Sequence, residues 1–112
     1  MTLTILEDTS DSLFLQLSGP LDLAGVREIE TRFLAFAATS TRPIVLDFSD
    51  VPFLASFGLR MIFDAIRALD RNRKKLVILN PQPLVGKALE IGGVDAVAVI
   101  LHDPSRVPGA VL

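Results

Sequence analysis

The chain contains no cysteine, tryptophan or tyrosine, and it has one histidine, His102, among its 112 residues. The lack of cysteine excludes disulfide bonds and thiolate ligands for a metal ion. A nucleophile, a base and a group that orients the base would have to come from serine, lysine and carboxylates, and no spacing in the sequence indicates such a set. We therefore expect a protein that is not an enzyme and holds no cofactor or metal, with an enzyme of unknown reaction as the least favoured alternative.

An excess of positive charge and long apolar runs are also absent. The 11 basic and 13 acidic residues give a net charge of -2, which argues against a protein that neutralises nucleic-acid phosphates. No apolar run approaches the roughly 20 residues that cross a bilayer. The first residues lack the basic region and apolar stretch of a secretory signal. With 50% hydrophobic residues, the chain is expected to form one cytoplasmic domain with a hydrophobic core of its own.

The order of strands and helices can be read from hydrophobic periodicity. Alternating apolar and polar residues at Thr2–Glu7 and Ser12–Leu17 indicate two strands, and the polar cluster Asp8–Asp11 between them predicts a hairpin. The later elements are a helix from Leu23, a strand over 43–48, a helix from about Phe57, a strand over 76–79, a helix over 84–91 and a strand over 97–101. This ββαβαβαβ order predicts an α/β domain over residues 1–101 with a mixed sheet, followed by a loosely ordered tail over 102–112.

Apolar residues three and four positions apart predict the buried faces of the two long helices. On the first helix they are Val26, Ile29, Phe33, Phe36 and Ala37. On the second helix they are Ile62, Phe63, Ile66 and Leu69. Asp22 stands at the position of an N-cap for the first helix.

The segment Val45–Leu59 combines a strand, a short loop and a serine, Ser56, at the start of a helix. It resembles the signature of STAS domains, the family of bacterial anti-sigma-factor antagonists. In that signature a strand ending Asp-Leu-Ser precedes an apolar segment and then Asp-Ser-Ser/Thr-Gly-Leu. The turn Gly19–Ala24 and the helix Leu84–Val94 are similar to two further family features. The resemblance covers nearly the whole chain to about residue 101.

The resemblance implies a small mixed sheet with helices mainly on one side. It also implies a partner, an anti-sigma factor with serine-kinase activity, that phosphorylates the serine corresponding to Ser56, and a phosphatase that reverses the modification. Asp22 and Asp47 match family acids on the rim of this serine. Two positions depart from the pattern: Ala55 replaces the acid, and Phe57 replaces the second Ser/Thr. The expected partner-binding residues are Asp22, Asp47, Ala55, Ser56, Phe57, Gly58, Arg60 and Asp64.

Physical chemistry supports a switch at Ser56. The N-terminus of a helix presents unpaired N–H groups and the positive end of the helix dipole. A phosphate adds about -1.5 to -2 charges there, so that a docked partner meets new charge and a desolvation cost. Gly58 suits a close approach of two backbones. The switch would act through local charge, without refolding the domain.

Several alternatives stay open. Ser56 can serve only as an N-cap, Asp22 only as the cap of the first helix, and Asp47 only as a strand-end residue that bonds a loop amide. Phe57 can pack into the core or face a partner. The basic cluster Arg71–Lys75 favours a solvated helix end over a patch for anionic lipid or phosphate. The alternative function, suggested by Ala55 and Phe57, is a non-phosphorylated STAS subunit of a transport or stress-signalling complex.

Overall fold

The computed structural model describes residues 1–102, and the elements follow the predicted order with one addition. They are β1 (Thr2–Asp8), β2 (Leu13–Ser18), α1 (Leu23–Thr39), β3 (Ile44–Asp50), α2 (Ser56–Arg71), β4 (Leu76–Leu79), α3 (Pro83–Ile91), a 3-10 turn (Val94–Ala96) and β5 (Val99–Leu101). The added turn shortens the last predicted strand, because Val97 donates its N–H to the carbonyl of Val94 at 3.0 Å. His102 is exposed, as expected. The predicted tail lies, apart from His102, outside the described residues.

The five strands form one mixed sheet in the order β1-β2-β3-β4-β5. β1 runs antiparallel to β2, and the other neighbours are parallel. The hairpin closes through Thr9, whose N–H donates to the carbonyl of Ser12 at 3.0 Å. Parallel strands need a crossover between them, and α1, α2 and α3 with its following turn supply the crossovers. The predicted hairpin and mixed sheet are confirmed.

The main core lies between one face of the sheet and all three helices. In β2 the side chains alternate, with Leu15 and Leu17 facing the helices and Phe14 facing the opposite side. The opposite face carries a second, smaller cluster formed by Phe14, Val45, Val77 and Leu79, with Leu101 packed against it. The expected placement of helices mainly on one side of the sheet is confirmed. Among residues 1–102, no helix is long and apolar enough to cross a membrane.

The predicted buried face is confirmed in α1, where only Phe36 of the five side chains is partly exposed. The predicted face is also confirmed in α2. Ile62 and Leu69 are buried, and Phe63 and Ile66 are half-buried and pack against the core. The buried face of α2 is completed by Met61, Ala65 and Ala68, because this helix packs against α1 as well as β4.

Candidate functional site at the starts of α1 and α2

The starts of α1 and α2 lie together at one edge of the sheet. β2 and β3 are parallel, and Ser18 at the end of β2 pairs with Asp50 at the end of β3. Both strands therefore end at the same edge of the sheet, which we call the rim. The loops then pair through backbone groups: the N–H of Leu21 donates to the carbonyl of Phe53 at 2.9 Å, and the N–H of Ala55 donates to the carbonyl of Leu21 at 3.0 Å. Asp22 directly follows Leu21 in one loop, and Ser56 directly follows Ala55 in the other.

The two helices begin with the same backbone conformation and different caps. Asp22 precedes α1 with φ -92° and ψ -173°, and its Oδ1 accepts the N–H of Gly25 at 2.8 Å. Ala55 precedes α2 with φ -92° and ψ 173°, and its methyl group cannot accept a hydrogen bond. The interpretation of Asp22 as an N-cap is confirmed. The interpretation of Ser56 as an N-cap is wrong, because Ser56 is the first residue inside α2.

Ser56 is exposed, and within residues 1–102 its hydroxyl makes no hydrogen bond. The first turn of α2 contains no acidic residue, and its N-cap supplies no side-chain acceptor. The N–H groups of Gly58 and Leu59 both donate to the carbonyl of Ala55, at 3.0 and 3.1 Å, so what the start of α2 lacks is a capping side chain at the positive end of the helix dipole. An anion attached to this hydroxyl meets a favourable potential from its own helix.

Gly58 determines how closely α2 approaches the loop after β2. A Cβ atom on Gly58 would lie 2.6 Å from Cδ1 of Leu54 and 3.0 Å from both the carbonyl oxygen and the Cβ of Leu21. The predicted close backbone approach is confirmed. Gly58 is buried, however, so we correct its expected place on a partner surface. Its role is to hold the first turn of α2, and with it Ser56, against the loop that leads into α1.

Asp47 lies within β3, three residues before the strand ends. Along β3 it shares the sheet face of Val45, opposite the face that the helices cover. Its Oδ2 accepts from Nε2 of Gln16 at 3.1 Å, and its Oδ1 accepts the N–H of Ser49 at 2.9 Å. The amide that Asp47 bonds belongs to Ser49, which lies within β3 and not in a loop, so the alternative of a strand-end residue that bonds a loop amide is wrong in this detail, and a place for Asp47 on a partner surface with Ser56 stays a prediction. A one-residue change of register along a strand moves a side chain to the opposite face, and a family motif does not show which face is used.

The N-terminal halves of α1 and α2 enclose a groove of about 280 Å³. On α2 its lining includes three expected residues, Phe57, Arg60 and Asp64. On α1 the lining residues are Leu23, Val26, Arg27 and Glu30. The contribution of α1 was missed, although its residues recur at helical spacing and the position of Asp22 indicated where the helix starts.

Exposed apolar side chains occur at the starts of both helices and in the loop before α2. Phe57 is 48% exposed and lies at the groove surface, so its packing into the core is not observed. Phe53, in the loop before α2, is 53% exposed, and Leu23 at the start of α1 is 39% exposed. We call Leu23, Phe53 and Phe57 the apolar patch. Exposed apolar groups close together on a small domain are typical of a surface that binds another protein.

Of the four charged residues in the groove lining, one forms an ion pair within residues 1–102. Asp64 forms an ion pair with Arg67 on the same helix. Arg27, Arg60 and Glu30 form no ion pair with any residue between 1 and 102. The groove lining thus carries two basic and two acidic residues, and among residues 1–102 its two arginines have no carboxylate partner.

The sequence matches the model of the STAS domain family over residues 3–103. The chain belongs to the STAS family. A relative called anti-sigma-B factor antagonist, from Staphylococcus aureus strain NCTC 8325 / PS 47, is 31% identical to this STAS domain over 94 residues. The alignment covers 83% of the chain and 87% of that relative. The predicted family is confirmed.

Solved structures share the fold of this STAS domain. The anti-sigma factor antagonist SpoIIAA in its unphosphorylated form has a TM-score of 0.77 at 20% identity, over 93% of this chain and 90% of that chain. The phosphorylated form of SpoIIAA, from Bacillus, has a TM-score of 0.71 at 19% identity, over 93% of each chain. A part of the murine anion transporter Slc26a9 has a TM-score of 0.73 at 14% identity, over 87% of this chain and 17% of the transporter. At these identities the likeness establishes the STAS fold alone.

Proposed function

We propose that this protein is an anti-sigma-factor antagonist, which binds an anti-sigma factor while Ser56 is unmodified and releases it when Ser56 is phosphorylated. The observation that carries the proposal is the exposed, unbonded hydroxyl of Ser56 at the rim where α1 and α2 begin. The Staphylococcus relative with the name anti-sigma-B factor antagonist supports the class of partner. SpoIIAA, which shares the fold, exists in a phosphorylated form, and this supports the type of switch.

The modification requires little of this chain beyond a well-placed hydroxyl. The Oγ of Ser56 attacks the γ-phosphorus of ATP bound to the partner kinase. The new O–P bond forms as the bond from the γ-phosphorus to its bridging oxygen breaks, ADP leaves, and the hydroxyl proton passes to a base on the kinase. The hydrogen bond from Ala55 to Leu21 and the packing of Gly58 hold the hydroxyl in place. A phosphatase restores the hydroxyl by hydrolysis of the phosphate ester.

The phosphate would weaken binding because Ser56 directly precedes Phe57, which lines the groove. About -1.5 to -2 charges would enter a surface that loses water when a partner docks. Taking such a charge out of water carries a desolvation cost of several kcal/mol. A loss of about 3 kcal/mol in binding free energy corresponds to an affinity lower by roughly a hundredfold.

The test compares Ser56→Ala with Ser56→Asp in binding to the anti-sigma factor from the same cell. We expect Ser56→Ala to retain affinity, because it removes only the hydroxyl, and Ser56→Asp to lose most of it. Ser10→Asp is the matched control, since Ser10 is exposed in the turn before β2, at the other end of that strand from the rim. Equal binding by Ser56→Asp and Ser10→Asp would contradict the switch. Lack of binding by every variant, the unmodified protein included, would contradict the antagonist function itself.

A second function is a non-phosphorylated subunit of a transport or stress-signalling complex. Two observations favour it: Ala55 stands where the family pattern has an acid, and the bulky Phe57 follows Ser56. Intact-mass spectrometry of the protein from its native cells separates the two functions. A species heavier by about 80 Da, with the added mass mapped to Ser56, supports the switch. Persistent absence of that species, with partner binding insensitive to Ser56→Asp, supports the complex subunit.

A further inference from the structure

Ser56 and Arg60 lie on the same face of α2. They are four residues apart inside one helix, a spacing that brings two side chains to neighbouring positions about 5–6 Å apart at Cβ. Arg60 is exposed and forms no ion pair with any residue between 1 and 102. A guanidinium group without a carboxylate partner thus stands one turn from the proposed phosphorylation site.

Arg60 also belongs to the groove between α1 and α2. There it lies with Arg27 of α1 and with the apolar side chains of Leu23 and Phe57. Asp64 lines the same groove, but its carboxylate is engaged by Arg67. A partner segment that places an apolar side chain beside one or two carboxylates matches this lining in both polarity and charge.

We propose that Arg60 connects the phosphorylation site to the groove. In the unmodified protein Arg60 binds a carboxylate of an anti-sigma-factor segment that also carries an apolar side chain. In the phosphorylated protein Arg60 pairs with the phosphate on Ser56 and is lost to the partner. This proposal rests on the proposed function, and it assigns partner chemistry and a mechanism of release to the same site.

Competition for Arg60 favours the phosphate for two reasons. A phosphate dianion carries more charge than a carboxylate, and a guanidinium can donate to it with two parallel hydrogen bonds. The phosphate is also attached to the same helix, so no translational freedom is lost when the pair forms. Arg27 belongs to the other helix and has no such fixed spacing from Ser56. When Arg60 pairs with the phosphate, Arg27 is the one arginine of the groove lining that remains available to a partner carboxylate.

The first experiment needs no partner. Phosphoserine is installed at position 56 during translation, and the phosphate is titrated by ³¹P NMR in the otherwise unchanged chain, in Arg60→Gln and in Arg27→Gln. An opposite charge favours the dianion, so Arg60 is expected to lower the second phosphate pKa by about half a unit relative to Arg60→Gln. The other charged groups of the groove, Glu30 and Asp64, are common to all three proteins. Arg27→Gln is expected to keep the low pKa, and the same pKa with and without Arg60 would overturn the pairing.

The second experiment measures affinity for the anti-sigma factor that binds the unmodified protein. We expect Arg60→Gln and Arg27→Gln each to weaken binding by about tenfold without phosphate. Phosphoserine at position 56 should reduce the affinity of Arg27→Gln by the same factor as it reduces that of the otherwise unchanged chain. It should reduce the affinity of Arg60→Gln by a smaller factor. Unchanged binding by unmodified Arg60→Gln would overturn the role of Arg60 in the groove while leaving the antagonist function intact. Because Arg60 is exposed, a thermal melt of Arg60→Gln is expected to match the parent chain and excludes misfolding as a cause.

Discussion

Asp22 and Ala55 stand at the starts of two neighbouring helices in nearly the same backbone conformation, yet only Asp22 caps its helix. The N–H of Ala55 donates to the carbonyl of Leu21, the residue before Asp22, so the two starts are fixed against each other. A carboxylate thus accepts one of the first N–H groups of α1. At the start of α2 the N–H groups of Gly58 and Leu59 share the carbonyl of Ala55, and no side chain caps the helix. A phosphate on Ser56 would be the anion closest to this uncapped start of α2.

Ala55→Asp is expected to stabilise the domain. The backbone at Ala55 already has the conformation of an N-cap, so a carboxylate can accept a helix N–H and interact with the dipole without rearrangement. The free energy of unfolding in urea should rise by about 1 kcal/mol, and the melting temperature by about 4–8 °C. Ala55→Asn is the control that supplies the cap without the charge, and it should give most of this gain. A lower stability for both variants would contradict the cap geometry.

Asp22→Ala is expected to have the opposite effect at the start of α1. It leaves the N–H of Gly25, a buried residue, without the acceptor that Oδ1 provides at 2.8 Å. The free energy of unfolding should fall by about 1 kcal/mol, within the range measured for lost N-caps. Asp22→Asn retains an acceptor oxygen and should differ from the parent chain by only a few tenths of that amount. Equal losses for the two variants in urea unfolding would show that charge, and not the cap, is what Asp22 contributes.

Gly58→Ala is expected to destabilise the domain, although alanine favours a helix by about 1 kcal/mol over glycine. The new Cβ would meet the backbone carbonyl of Leu21 at 3.0 Å, and this backbone is held by the loop pairing between α1 and α2. Overpacking of this kind costs about 1–3 kcal/mol, which exceeds the gain from propensity. Gly86→Ala in α3 is the control: its Cβ would have its nearest contact at 3.6 Å, so the helix gain should remain. Chemical denaturation of both variants measures the contrast, and a stabilised Gly58→Ala would contradict the proposed close approach.

The sequence predicted the order of elements and the place of Ser56 at the start of α2 because these depend on local patterns. The alternation in β1 and β2 and the helical spacing in α1 carry their own signal, and the serine is marked by its motif. The position of Asp47 was not predictable in the same way, since the sheet face it occupies depends on strand register against Gln16 and Leu79. The groove was also beyond local reasoning. It exists because α1 and α2 pack together and bring Arg27 beside Arg60, and no short-range pattern specifies that pairing.

Phe57→Ser separates binding from stability, and it restores the residue type that the STAS pattern has after the site serine. Phe57 is 48% exposed, so the free energy of unfolding should change by less than about 1 kcal/mol. Affinity for the anti-sigma factor should fall by about tenfold or more, because a partly exposed aromatic side chain that lines a binding groove is the kind of residue that dominates interface energies. Leu84→Ser is the control, since Leu84 is 80% exposed on α3, outside the groove, and should leave both stability and affinity unchanged. If Phe57→Ser binds as tightly as Leu84→Ser, the apolar patch does not contact the partner, and recognition must rest on Arg27, Arg60 and the unmodified hydroxyl of Ser56.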